Sequence, residues 1–246
     1  RKEGLEITGR IENKSGGRAV ATEFDWISAW VRLSLSANGR RGGSFMTSFL
    51  LTLLARFITG AGSAHWIGCA PEPKQRIYFA NHTSNLDALI LWAGLPTPVR
   101  KVTRPIAAHD YWTGDPLRRY LACNVFNALL IERKKVTVSN NPIPQILTAM
   151  GTESSIIIFP EGKRNYGPEI GEFKSGLYHL ASARPEVELV PVLLQNLNRV
   201  LPKGEFLPVP LIASIYFGAP IRIEEGERKP QFLERARKAV ESLRHE

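Results

Sequence analysis

"RIYFANHTSNLDALILW", residues 76–92, changes its apolar period partway along. Ile77, Tyr78, Phe79 and Ala80 form the unbroken apolar run of a strand, whereas Leu86, Leu89, Ile90 and Trp92 recur at helical spacing. Between them, Asn81, His82, Thr83, Ser84 and Asn85 are turn and N-cap formers. With Ser84 or Asn85 as the cap, His82 precedes the first turn and Asp87 lies inside it. Residues five apart do not share a face of an ideal helix, so the two side chains can meet only across the helix start. A carboxylate bonded to one imidazole nitrogen fixes the tautomer and leaves the other nitrogen free as a general base. The competing reading is a hydrogen-bonded histidine at a strand end with Asp87 on the surface. No serine or cysteine is set up as a nucleophile here, so the base is available to a hydroxyl of the substrate.

The same alternation of periods continues beyond this stretch. Val99–Ala108 reads as a strand, Pro116 opens a helix, "LLIERKK" supplies a short strand with a basic end, and Pro142–Met150 is helical. Ile156–Phe159 is the clearest buried strand and is broken by Pro160. Lys174–Ala183 is then helical, "VELVPVLLQNL" is a strand, and a proline-rich loop, a strand in "SIYFGAPIRI" and a charged helix from Pro230 to about Leu243 close the chain. Strands separated by helices predict an α/β fold, a single domain with a largely parallel or mixed sheet flanked by helices. Ligands of such sheets sit beyond the carboxyl ends of the strands. His82, Glu132 with Arg133, and Glu161 with Lys163 and Arg164 all follow strand-like runs, so these polar groups are expected to converge.

A chain of 246 residues, 43% hydrophobic and 22% charged, can bury one sizeable core. The formal charge of +9 favours an anionic partner: nucleic acid, an anionic membrane surface, an acidic carrier or a phosphorylated substrate. The basic residues form no repeated basic-aromatic face, which argues against nucleic acid. Two cysteines, Cys69 and Cys123, make no disulfide framework, and the five histidines do not recur with Cys or Glu at a metal-ligand spacing. Residues 1–22 carry no signal-peptide core and read as a solvated tail or a vector-derived segment. In residues 23–62, Phe24, Ile27, Trp30, Val31 and Leu35 fall at helical spacing, and Phe45–Ile58 is apolar but shorter than the roughly 20 residues needed to span a bilayer. That region reads as an amphipathic helical pair at the membrane interface, with residues 63–246 as the α/β domain.

In "FPEGKR", Phe159–Arg164, a strand stops at proline, a glycine follows, and two cations follow that. Lys163 and Arg164 can neutralise a phosphoryl group, and Arg133 can pair with two phosphate oxygens. Glu161 has two uses open to it: bonding a substrate hydroxyl, or fixing the loop through arginine or backbone donors. Gly162 lets backbone approach a ligand. Tyr166, Lys174 and His179 read as structural or supporting residues. Neither a GxxxxGK[ST] phosphate loop nor a GxGxxG dinucleotide fingerprint is present.

"NHTSNLD", Asn81–Asp87, resembles the first signature of the glycerolipid acyltransferase family, and three further blocks follow in family order. "NVFNALLIERKK", Asn124–Lys135, resembles the second, with Glu132 and Arg133 matching. "FPEGKR" resembles the third, with Lys163 where threonine or serine is common, and "VPV", Val190–Val192, resembles the fourth. The resemblance implies that His82 is the catalytic base and Asp87 its orienting partner. It also implies that Glu132, Arg133, Glu161, Gly162, Lys163 and Arg164 bind the acceptor, and that the fourth block lies along the acyl-binding side. The implied reaction moves a fatty acyl group from acyl-CoA or acyl-carrier protein to the hydroxyl of lysophosphatidate, without a cofactor or a metal. Glycerol-3-phosphate, another lysophospholipid or a lyso-aminolipid are alternative acceptors, and a noncatalytic acidic-lipid-binding protein is the contrasting reading. The implied location is peripheral, on the cytoplasmic side of the cell membrane, which is the inner membrane in a bacterium.

Overall fold

A computed structural model describes residues 63–84, 87–132, 141–165, 167, 169–195 and 214–245. The expected tail, the helical region 23–62, Asn85, Arg133, Tyr166 and the proline-rich loop lie outside the described residues. Seven strands form one sheet in the order β1-β7-β6-β2-β5-β3-β4. In chain order they are β1 (Ser63–Trp66), β2 (Arg76–Ala80), β3 (Thr103–Ala108), β4 (Leu129–Ile131), β5 (Ser155–Ile158), β6 (Glu188–Gln195) and β7 (Ser214–Phe217). Neighbours run parallel except β6 and β7, which are antiparallel, so the sheet is mixed.

The central strands are apolar without interruption because helices cover both faces. Tyr78 and Ala80 of β2 pack in one core with Leu89, Trp92, Leu121 and Phe126. Ile77 and Phe79 point the other way, into a core with Ile146, Leu177, Leu180 and Phe232, as the two-residue period of a strand requires. Each fully buried isoleucine, leucine or phenylalanine side chain among them contributes about 1.5–3 kcal/mol. The first core lies under α1 (Asp87–Gly94), α2 (Thr97–Lys101), α3 (His109–Thr113), α4 (Pro116–Tyr120) and a π-helical turn, Leu121–Val125. The second lies under α5 (Pro142–Met150), α6 (Gly176–Ala183) and α7 (Lys229–Glu241).

Three local expectations differ from the structure. Val99–Lys101 belong to α2 rather than to a strand, because Pro98 sits in the first turn, where its missing N–H costs nothing, and Arg100 and Lys101 complement the helix C-terminus. β7 stops at Phe217 because Gly218, Ala219 and Pro220 interrupt it, and Ile221 returns only as an isolated bridge to Leu189. α6 begins at Gly176 rather than Lys174, whose N–H donates instead to the Pro160 carbonyl at 2.9 Å.

Two features place the site. At the amino end of β2 the buried Arg76 donates from Nε to Glu188 Oε2 at 3.0 Å and thereby ties β2 to β6. Burial pushes the Glu188 carboxyl up, but hydrogen bonds from Lys74 and Arg76 outweigh it and hold the group below its ordinary range. At the other end, β3 changes partner: it pairs with β5 over Thr103–Pro105 and with β4 over Ile106–Ala108. Pro105 has no N–H to continue a ladder, and beyond it β3 and β5 part.

Candidate active site

Because β2, β5, β3 and β4 are parallel, the loops after β2, β5 and β4 leave the same edge of the sheet. Those loops carry His82, then Glu161 to Arg164, and Glu132. The histidine and aspartate do meet across the helix start. His82 Nδ1 lies 2.8 Å from Asp87 Oδ2, and that oxygen also accepts from the N–H groups of Thr83 at 2.6 Å and Ser84 at 2.9 Å. Asp87 is therefore buried and hydrogen-bonded inside the first turn of α1, where the helix dipole favours a negative charge. An acceptor oxygen at Nδ1 selects the tautomer of the neutral ring that carries its hydrogen on Nδ1 and has its free lone pair on Nε2. The imidazole also stacks on Phe159, with centroids 4.4 Å apart.

Of the two uses open to Glu161, the structure shows the loop-fixing one. Glu161 is buried; its Oε1 accepts from the N–H of His82 at 2.8 Å and its Oε2 from the N–H of Gly171 at 3.0 Å. A Cβ on residue 171 would lie 2.6 Å from Oε2, so the carboxylate occupies the space that glycine leaves. The His82 carbonyl is held as well, accepting from the N–H of Asn165 at 2.7 Å. One loop thus grips both sides of the histidine's backbone. Glu161→Gln keeps the shape but leaves one of the two N–H groups facing an amide N–H2. Thermal unfolding should show a loss of about 1–3 kcal/mol, and initial rates should fall roughly ten- to a hundredfold through misplacement of the imidazole.

A cavity of about 630 Å³ opens beside His82 and fills the gap where β3 parts from β5. Its apolar wall draws on both cores: Leu89, Trp112 and Phe126 on one side, Ile143, Ile146 and Leu177 on the other. Lys163, Arg164 and Lys174 also line it, and no carboxylate does among the described residues. Lys174, expected as a supporting residue, is therefore part of the cavity itself. Its short FKSG context has no period and no charge pattern that would have marked it.

Other expected residues stand elsewhere. Glu132 is exposed at the end of β4 and does not line the cavity, while Arg133 lies outside the described residues. Val190, Pro191 and Val192 sit in the middle of β6, and the two valines are buried in the first core, so the fourth block does not form the wall beside His82. Leu193 and Leu194 line a separate polar recess with Asn81, Thr83 and Glu161. Asn81 was missed as a supporting residue: its Oδ1 accepts from Leu194 N–H at 2.8 Å and its Nδ2 donates to the Leu194 carbonyl at 3.1 Å. That pair locks the start of the histidine loop to β6.

Among the described residues no group of His, Cys, Asp and Glu side chains is placed to hold a metal ion, and no helix is long and apolar enough to cross a membrane. A mouse protein named 1-acyl-sn-glycerol-3-phosphate acyltransferase alpha is 27% identical over 190 residues, covering 73% of this chain and 62% of that protein. The human protein of the same name is 30% identical over 128 residues, covering 51% of this chain and 42% of that protein. The chain thus spans less than two thirds of these relatives. The fold matches the crystal structure of the 1-acyl-sn-glycerophosphate (LPA) acyltransferase PlsC from Thermotoga maritima. There the TM-score is 0.58 at 16% identity, covering 89% of this chain and 88% of that one. The acyltransferase family profile matches residues 69–195, just over half of the 246, and the chain belongs to the acyltransferase family.

Proposed function

We propose that this chain is a 1-acyl-sn-glycerol-3-phosphate O-acyltransferase, which moves a fatty acyl group from an acyl thioester to the free hydroxyl of lysophosphatidate. The observation that carries the reading is the His82–Asp87 pair, 2.8 Å apart, beside an apolar cavity that three cations also line. The relatives' names support lysophosphatidate as the acceptor. His82 Nε2 takes the hydroxyl proton as the oxygen attacks the thioester carbonyl, and Asp87 stabilises the imidazolium that forms. The tetrahedral intermediate collapses, the C–S bond breaks, and the imidazolium returns its proton to the departing thiolate. Phosphatidate and the free thiol carrier result, with no acyl-enzyme and no cofactor. The donor is acyl-CoA or acyl-carrier protein.

Lys163 and Arg164 hold the acceptor phosphate, and Arg133, from the second signature, is assigned the same task. That contact brings the hydroxyl into attack geometry. The apolar wall takes a fatty chain. Ala107→Phe fills the gap between β3 and β5 and should favour short acyl thioesters; the ratio of kcat/KM for long over short donors is expected to fall about tenfold or more. The enzyme works as a peripheral protein on an anionic membrane surface, on the cytoplasmic side of the cell membrane and thus on the inner membrane in a bacterium. The net charge of +9 supports that placement. Purified protein in mixed micelles, offered acyl-CoA and acyl-carrier protein with a panel of lysolipids and glycerol-3-phosphate, tests the assignment. Ester formation with lysophosphatidate above the other acceptors is expected, and lipid binding without any ester product would overturn it.

A further inference from the structure

We propose that Lys174, ten residues beyond the third signature, is a substrate-binding residue that contacts the acceptor phosphate together with Lys163 and Arg164. This assignment rests on the acceptor reading given above. The position of the lysine is set by backbone: its N–H donates to the Pro160 carbonyl at 2.9 Å, which fixes where the side chain starts relative to the loop that carries the other two cations. From there the side chain runs across Gly162. A Cβ on residue 162 would lie 2.8 Å from Lys174 Nζ and 3.0 Å from its Cδ and Cε. Gly162 has φ +67°, a conformation that a side chain resists, and the space a side chain would have filled is taken by the lysine stem.

Among the described residues no carboxylate accounts for that path. Among the described residues Lys174 has no ion pair, and the nearby acid of the loop, Glu161, has both oxygens committed to backbone N–H groups. An exposed lysine gives up rotamer freedom by lying in one direction. Here that direction leads to the cavity, which His82, Lys163, Arg164 and Lys174 line without a single acid among the described residues. An apolar space lined by three cations and a histidine suits an amphiphile with a multiply charged anionic head. A phosphate monoester carries about −1.5 to −2 at neutral pH, more than one cation neutralises. Lysine acts on it as a movable point charge, beside the planar fork of Arg164.

The same chemistry occurs in the phosphates of the acyl donor, so the test has separate arms. Lys174→Met keeps most of the stem and removes the charge; Lys174→Arg keeps the charge. Calorimetric titration with lysophosphatidate and with a monoacylglycerol of the same chain, both in mixed micelles without donor, should show about a ten- to hundredfold weaker affinity for lysophosphatidate in Lys174→Met. The preference over monoacylglycerol should shrink by a similar factor, and Lys174→Arg should recover most of it. In initial-rate assays the KM for lysophosphatidate should rise by the same factor while the KM for acyl-CoA moves far less. Equal losses for both acceptors would mark a structural role and overturn the assignment. So would unchanged lysophosphatidate affinity, or a rise confined to the acyl-CoA KM. Charge-dependent binding that needs Lys174, with no ester product in wild type, would sustain this inference while refuting the acyl-transfer reading. Transfer in wild type with Lys174→Met unaltered would do the reverse.

Discussion

His82→Ala is expected to lower kcat for acyl transfer by at least about 10²–10⁴-fold, the range that a positioned general base contributes. The protein should remain folded, because the contacts that fix this part of the loop do not use the imidazole. Glu161 accepts from the backbone N–H of residue 82, Asn165 donates to its carbonyl, and Asp87 still accepts from Thr83 and Ser84. What the variant loses is the bond to Asp87 and the stack on Phe159. Circular dichroism and thermal unfolding close to wild type, combined with the collapse in rate, would place the effect on chemistry rather than on folding. A neutral effect on the lysophosphatidate KM is the companion expectation, since the proposed phosphate contacts lie on other residues.

Asp87→Asn should cost nearly as much activity and also some stability. One carboxylate oxygen takes three donors: the N–H groups of Thr83 and Ser84 and Nδ1 of His82. An amide oxygen in that place accepts without the charge, and an amide N–H2 there would face donors on every side. The imidazole is then free to take the other tautomer, which protonates Nε2 and blocks it as a base. A rate loss of about 10²–10⁴-fold is expected by analogy with the carboxylate of a histidine-based triad. Thermal unfolding should report about 1–3 kcal/mol lost from the weakened buried bonds. With the aspartate proposed to work through the histidine, the double variant should be little slower than His82→Ala alone; strictly multiplicative losses would mean that Asp87 acts on the substrate separately.

The parts of this arrangement that are local in the chain were legible in the residues. The switch of period around Asn81–Asn85 announces a strand, a loop and a helix, and that alone brings His82 to Asp87. Pro142 and the apolar spacing behind it mark α5 to the residue. Interactions between distant segments were not legible, because no period records them. Glu161 reaches the N–H of His82 across 79 positions, and Asn81 reaches Leu194 across 113. The partner change of β3 depends on where the ladder with β5 ends, so the cavity it opens was invisible, and the acyl wall was expected along Val190–Val192 instead. Lys174 was read only as a structural or supporting residue for the same reason: its path over Gly162 and its place in the cavity wall are not shown by a pattern of residue types.

In the proposed reaction His82 moves the proton between a lysophosphatidate hydroxyl and a thiolate leaving group. Mass-spectrometric quantification of phosphatidate and free CoA, after mixing lysophosphatidate and acyl-CoA with wild-type and with verified folded His82→Ala protein, tests it most directly. Equimolar phosphatidate and CoA from wild type, with neither formed above background by His82→Ala, is the predicted result. Comparable phosphatidate from His82→Ala, or CoA released by wild type with free fatty acid in place of the new ester, would contradict it.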